Sequence, residues 1–168
     1  MKYLVQSLLT RLFMIPWVQR RWSRSFIALQ PDRRPFVLPA HPLAQTKIAL
    51  LTTGGVHLAH EPGFDMENPQ GDGSFRSFPW ETDREALTLT HKYYDSRAAQ
   101  KDLGVILPIR PLQAALEQGK IGRAGSKVYS FMGHLSGEQL ERALKSSVPQ
   151  VIRELKAEGV EVCFLTPA

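Results

Sequence analysis

Ser136 to Leu165, SGEQLERALKSSVPQVIRELKAEGVEVCFL, decides the fold. Leu140, Leu144, Val148, Val151, Ile152 and Leu155 recur at the spacing that sets them on one helical face, so they form a buried stripe. Ser136 and Gln139 open the helix at capping-box spacing. Pro149 falls inside it, where a proline costs about 3 kcal/mol, so a kink or a restart capped by Ser146 or Ser147 is expected. Gly159 closes the helix, and Val160-Glu161-Val162-Cys163-Phe164-Leu165 then reads as a short buried strand. Reacting groups in open α/β sheets gather just past the carboxyl ends of strands, so Thr166, Pro167 and Ala168 stand at the threshold of such a site.

Working toward the N-terminus, Val128-Tyr129-Ser130-Phe131-Met132 is another strand, ended by Gly133. A helix with Pro111 in its first turn turns Leu112, Ala115 and Leu116 inward and closes at Gly119. Before it, Val105-Ile106-Leu107-Pro108 is a short apolar run, and Ala86 to Thr90 is a strand running into His91-Lys92-Tyr93-Tyr94-Asp95. Residues 59 to 79 carry three glycines and three prolines without periodicity, so they are expected to form a long surface loop. Lys47-Ile48-Ala49-Leu50-Leu51-Thr52 is a strand ended by Thr53-Gly54-Gly55. Strand and helix signals alternate and finish on a helix-to-strand crossover. The class is therefore α/β, a mainly parallel sheet flanked by helices in a Rossmann-like three-layer arrangement.

The start of the chain differs in character. Leu4, Val5, Leu8, Leu9, Leu12 and Phe13 share one helical face, with Gln6, Ser7, Thr10 and Arg11 opposite. Arg11 and Pro16 interrupt the segment well short of the roughly 20 apolar residues that cross a bilayer, and no small-residue cleavage site follows. With Trp17, Trp22 and its arginines, the segment through residue 28 has the makings of a peripheral membrane contact, or of a helix docking on its own domain. Gln30 to Pro42 holds four prolines and reads as an extended connector. The organisation is a basic amphipathic segment over 1–29, a Pro-rich connector over 30–42 and an α/β domain over 43–168.

Seven of the 21 basic residues precede residue 35, against Asp32 alone, which leaves 14 basic and 15 acidic residues elsewhere. The net charge of +5 thus belongs to the start, and the domain is near neutral. No basic cluster or reading element marks a nucleic-acid surface. The single cysteine, Cys163, excludes an internal disulfide and a multi-thiolate zinc site, and a reducing cytoplasm fits it. Inside an apolar strand, such a thiol behaves as a small hydrophobe.

Two clusters carry candidate chemistry. Thr52, Thr53, Gly54, Gly55 and His57 form a strand-to-loop corner whose backbone N–H groups and hydroxyls suit an anionic substrate group, although a tight turn needing glycine explains it as readily. The spacing is neither a phosphate loop nor a dinucleotide fingerprint. His91 and Asp95 put an imidazole and a carboxylate at the end of a predicted strand, a pair suited to proton shuttling, or else a polar edge with one satisfied histidine. His57, His60 and His91 lie on separate segments without ligand spacing, so no metal is expected.

Several stretches together, in order from Pro42 to Ala168, carry a likeness. They are KIALLTTGGVH (Lys47–His57), Gly71 to Arg76, Leu89 to Asp95, Val105 to Ile109, Ile121-Gly122, Tyr129 to Gly133, and Leu155 to Pro167. They resemble the glycine/sarcosine/betaine/D-proline reductase selenoprotein B family. The resemblance implies an oxidoreductase acting through a selenol, or a thiol replacing it, on a small-molecule substrate with a disulfide as acceptor. In the family, the segment similar to Val162 to Ala168 is followed directly by the reactive selenocysteine, then a cysteine, a helix and another strand. The resemblance therefore implies a nucleophile just after Ala168, a fold incomplete at its C-terminus here, and a frame closed at the selenocysteine codon. No cofactor is expected in the 168 residues themselves, and selenocysteine is expected in a longer product. It also implies a pyruvoyl-containing partner subunit and a thiol reductant. The residues themselves offer His91 and Asp95 as candidates for proton management and the Thr52 to Gly55 corner with His57 as the candidate substrate-binding surface. The residues alone equally suit a non-catalytic binding or scaffold module whose N-terminal helix docks on a membrane or partner.

Overall fold

The structure is a computed structural model and describes residues 15–23, 37–91 and 97–167. The chain divides into two compact units, residues 1–37 and 38–168. In the first, helix α1 spans Pro16–Ser23, with Pro16 at its start, where a missing N–H costs nothing. Trp17, Arg20 and Arg21 are exposed on it. The amphipathic face read between Leu4 and Phe13 lies outside the described residues.

In the second unit, β1 (Lys47–Thr52) is central, because its continuous apolar run can be covered on both faces. It pairs in parallel with β5 (Arg123–Phe131) on one side and β6 (Val162–Thr166) on the other, while β3 (Phe75–Pro79) runs antiparallel to β5 at the far edge. The order is β3-β5-β1-β6, an α/β sheet with mostly parallel strands. A separate two-stranded antiparallel sheet joins β2 (Val56–Leu58) to β4 (Leu87–Leu89).

Alternation along the strands divides the core. Ile48, Leu50 and Val128 face one side with Ile106, Leu107 and the inward residues Leu112, Ala115 and Leu116 of helix α3 (Ile109–Glu117). A short helix α2 (Arg97–Lys101) adds Ala99 to that side. Leu51, Tyr129 and Phe131 face the other side, against Val148, Val151 and Leu155. Those three belong to one helical run: α4 (Gly137–Arg142), a π turn over Ala143–Ser147, and α5 (Val148–Ala157). Between Ile48 and Leu50, β5 carries a bulge whose Ser126 carbonyl accepts from Trp80 N at 3.1 Å.

Several elements depart from their sequence reading. Pro149 neither stops the helix nor needs a serine cap; the wider π turn shifts the carbonyl that its ring would strike. Ser147 is helical, and its hydroxyl donates to Gly73 O at 2.7 Å. Ser136 precedes α4 but makes no side-chain cap, since Gln139 Oε1 instead accepts from Gly73 N at 2.9 Å. A Cβ on Gly73 would lie 2.2 Å from Gln139 O, so only glycine lets the loop backbone rest on this helix. The expected loop 59–79 ends in β3, whose Phe75 and Phe78 enter opposite cores and whose neighbouring glycines and prolines mask the signal. The apolar run at 105–108 follows a 3-10 turn over Leu103–Val105, with Ile106 and Leu107 buried behind it.

The largest correction concerns β6. It is an edge strand, with Phe164 46% and Leu165 64% exposed, and Leu144 and Ile152 of the expected stripe also face outward. Apolar composition cannot distinguish a strand covered on both faces from one at an open edge.

Leu50 and Leu165 provide a direct comparison. Leu50→Ala should lower stability by about 2–5 kcal/mol, as truncation of a fully buried leucine does. Leu165→Ala should stay within about 0.5 kcal/mol of the parent. Urea unfolding followed by circular dichroism measures both, and equal losses would contradict the edge placement.

Candidate functional site

The carboxyl ends of β1, β5 and β6 lie side by side, because all three strands run the same way. This is where open α/β sheets bind ligands. Thr52 ends β1 fully buried; its hydroxyl donates to Ile106 O at 2.9 Å and accepts from Gly54 N at 3.1 Å. Thr53 N donates to Thr166 O at 3.0 Å and Gly55 N to Phe131 O at 3.0 Å. All three corner amides are thus engaged within the fold. The corner offers a ligand its shape and the partly exposed Thr53 side chain, while its N–H groups serve to tie the strand ends together.

Gly55 sits at φ +69°, and a Cβ there would lie 2.3 Å from Thr90 O. Thr90 N in turn donates to Gly55 O at 2.9 Å, which brings the segment after β4 onto the corner. His57 is 4% exposed. Its Nδ1 donates to Leu58 O at 2.8 Å, and its Nε2 meets the Thr90 hydroxyl at 2.8 Å, so the ring braces the β2–β4 sheet from inside.

His91 follows Thr90, and its Cβ is 3.8 Å from the position a Gly55 Cβ would occupy. The structure therefore brings His91 to the Thr52 to Gly55 corner. Asp95 lies outside the described residues. The strand before His91 belongs to the small antiparallel sheet, so it does not share the edge of β6 as a parallel partner. Burial, followed by the charge of His134, pushes the His91 imidazole down to about 4, so it is neutral near pH 7. His134 was not found by sequence reasoning; Gly133-His134 directly after a strand was the available signal. Its Nε2 lies 3.2 Å from Pro69 O.

Below the corner, Ser130 pairs with Thr52 across the β1–β5 ladder, fully buried, its hydroxyl without a hydrogen-bond partner among the described residues. Asp72 anchors the preceding loop. Burial pushes its carboxyl up, but the Ser74 hydroxyl, the Asp65 and Ser74 amides and Arg76 outweigh that and hold it below the usual carboxylate range. Cys163 lies within β6, half-buried, and burial pushes its thiol up. A protonated thiol is a poor nucleophile. An open cleft of about 370 Å³ is lined by Glu61, Pro62, Phe75, Arg76 and Ser77 on β3, at the opposite edge from β6. It contains none of the sequence-predicted residues. Arg76 there is engaged by the Pro62, Gly63 and Phe75 carbonyls, so the strand ends are the stronger site. Among the described residues no group of three His, Cys, Asp or Glu side chains could hold a metal, and no helix is long and apolar enough to cross a membrane.

The fold is that of an α/β protein whose parallel strands end together at the Thr52 to Gly55 corner. Residues 19–168 match the family described as glycine/sarcosine/betaine reductase selenoprotein B, and the chain belongs to that family. It is 30% identical over 124 residues to D-proline reductase subunit gamma of Acetoanaerobium sticklandii, covering 74% of this chain and 49% of that protein. It is 28% identical over 144 residues to betaine reductase complex component B subunit beta of Peptoclostridium acidaminophilum, covering 80% of this chain and 31% of that protein. The chain thus spans about half the length of the first relative and about a third of the second. No solved structure matches it.

Two tests address the corner. Gly55→Ala should cost at least about 1–3 kcal/mol, because the side chain must take a left-handed backbone against the Thr90 carbonyl. A loss under 0.5 kcal/mol in thermal unfolding would count against this packing. The second is an NMR titration of His91, which should give a midpoint near 4, raised only in part by His134→Ala since burial is the larger cause. The folded pKa lies below that of a free imidazole, about 6.5, so the unfolded chain binds more protons between those values. Stability should therefore fall as pH drops from about 6.5 toward 4.

Proposed function

We propose that this chain forms the selenoprotein B-type part of a reductase that acts on small amino-acid-like substrates of the glycine, betaine or D-proline kind. The observation that carries the reading is the family match over residues 19–168, which runs through the corner, His91 and the end of β6. A selenol, or a thiol in its place, expected just after Ala168, would supply the nucleophile and the two-electron exchange with a thiol–disulfide pair. The residues present suit such a group, since Thr166 is tied to β1 by side chain and backbone and so fixes the end of β6.

In this reading the chain's own residues position and manage protons. Thr53, Gly54 and Gly55 form the floor against which substrate lies, with Thr52 beneath and His57 bracing the adjoining sheet. His91 is neutral at physiological pH, so it enters as a proton acceptor, with Asp95 its carboxylate partner. The reducing partner is a thiol, and a pyruvoyl-containing subunit completes the complex. A cytoplasmic setting keeps both chalcogens reduced.

The second reading is a non-catalytic module that docks through its first unit. Exposed Trp17 beside Arg20 and Arg21 on α1 favours it, since tryptophan and arginine on a short helix suit an anionic interface.

Selenium content and intact mass of the product isolated from its native cells test the first reading. The expected result is one selenium per chain, a mass above that of the 168-residue form, and thiol-dependent reduction of one of these substrates when partner subunits are supplied. A selenium-free product ending at Ala168 that binds anionic vesicles and reduces nothing would replace it with the second reading.

A further inference from the structure

The carbonyl of Ile106 accepts two threonine hydroxyls, from Thr52 at 2.9 Å and from Thr166 at 2.8 Å. A carbonyl oxygen has two lone pairs, and here both are engaged by the last residues of neighbouring parallel strands. Thr166 Oγ1 also lies 3.3 Å from Leu51 O, and Thr166 O accepts from Thr53 N at 3.0 Å. Thr166 is therefore held by its side chain and its backbone at once.

The turn that brings Ile106 there is wedged in place. The Ile106 side chain occupies the space beside Gly54, where a Cβ would lie 2.6 Å from Cδ1, and the residue is 5% exposed. The rest of β6 contrasts with this. Phe164 and Leu165 are exposed and one strand edge is unpaired, conditions under which strand ends open easily. Valine matches threonine in shape and has high strand propensity, and it would bury no hydroxyl at position 52. Hydroxyls at both positions, converging on one carbonyl, fix the direction in which the chain leaves β6.

We propose that Thr52 and Thr166 are positioning residues that clamp the exit of β6 through the Ile106 carbonyl, and so orient the residue that follows the strand. That this orientation carries through Pro167 and Ala168 to the reacting residue rests on the function proposed above. The clamp itself does not depend on it.

Amide hydrogen exchange by NMR on the 168-residue chain measures the clamp, with Thr53 N–H as reporter and Leu50 N–H as the core reference. Thr166→Val should speed exchange at Thr53 about three- to tenfold relative to Leu50, and Thr52→Val should do so to a similar extent. Thr166→Ser, which keeps the hydroxyl, should restore the parent rate. Unchanged exchange at Thr53 in Thr166→Val, or a serine variant that behaves like the valine one, overturns the clamp. In a longer product that turns over, Thr166→Val should lower kcat with KM unchanged and Thr166→Ser should recover it; an unaffected kcat overturns the positioning role. If the parent neither contains selenium nor turns over, the proposed function falls, and exchange alone decides the clamp.

Discussion

Strand β1 is the element on which the rest is hung. It is hydrogen-bonded along both edges, and Ala49 and Leu50 are fully buried between two helical layers. A six-residue strand in that position can carry no charge along its middle, and Lys47 meets this limit by lying at the amino end. Its ammonium donates to Glu158 O at 2.9 Å and pairs with Glu158 Oε1 at 3.1 Å, while that carboxylate also takes the Ser126 amide of the β5 bulge. Burial pushes Glu158 up, but these partners hold it below its usual range. His41 and Glu161 make a further pair at 2.8 Å near the start of β6. The amino end is thus fastened by charge, and the carboxyl end by threonine hydroxyls and backbone amides.

The loop between β2 and β3 is held from the opposite layer. Gly73 gives its N–H to Gln139 and its C=O to Ser147, residues that lie in α4 and the π turn. An uninterrupted α-helix would place these two side chains differently, so the π turn before Pro149 helps set how the helix grips the loop. Asp72, beside it, organises Asp65, Ser74 and Arg76 into the same local frame. The result carries order from α4 to the Gly71 to Arg76 stretch and then into β3.

Sequence legibility followed the locality of the signal. Residues 47–52 were read with the bounds the structure gives, since a continuous apolar run bounded by a lysine and two glycines needs no distant partner to identify it. The helix after Pro108 and the crossover into the last strand were likewise legible from periodicity and from Gly119 and Gly159, both at positive φ. Long-range pairing was not. Nothing near Leu87 says that its strand joins Val56 to Leu58 instead of the main sheet, and nothing near Phe164 says that its outer edge is open. At the corner, Thr52, Gly54, Gly55 and His91 were singled out by residue type, and the structure brings them close together. His134 reaches His91 only through the topology, and Ile106 contributes a backbone carbonyl, which any residue type possesses.

The position of sulfur in this fold follows from the same geometry. A side chain inside β6 lies on one face or the other, and Cys163 falls on the face it shares with Leu51 and Tyr129, where burial favours the neutral thiol. Tyr129 is pushed up as well, by burial first and then by its hydrogen bond to Glu154. Reductive chemistry needs the anion, and the interior of β6 opposes it. Beyond Thr166 the strand has ended, and a side chain is no longer committed to either packed face. A chalcogen beyond the strand, as proposed above, would escape the burial that favours the neutral thiol at Cys163, and on that reading the hold on the strand end bears on reactivity more directly than the burial of the strand itself.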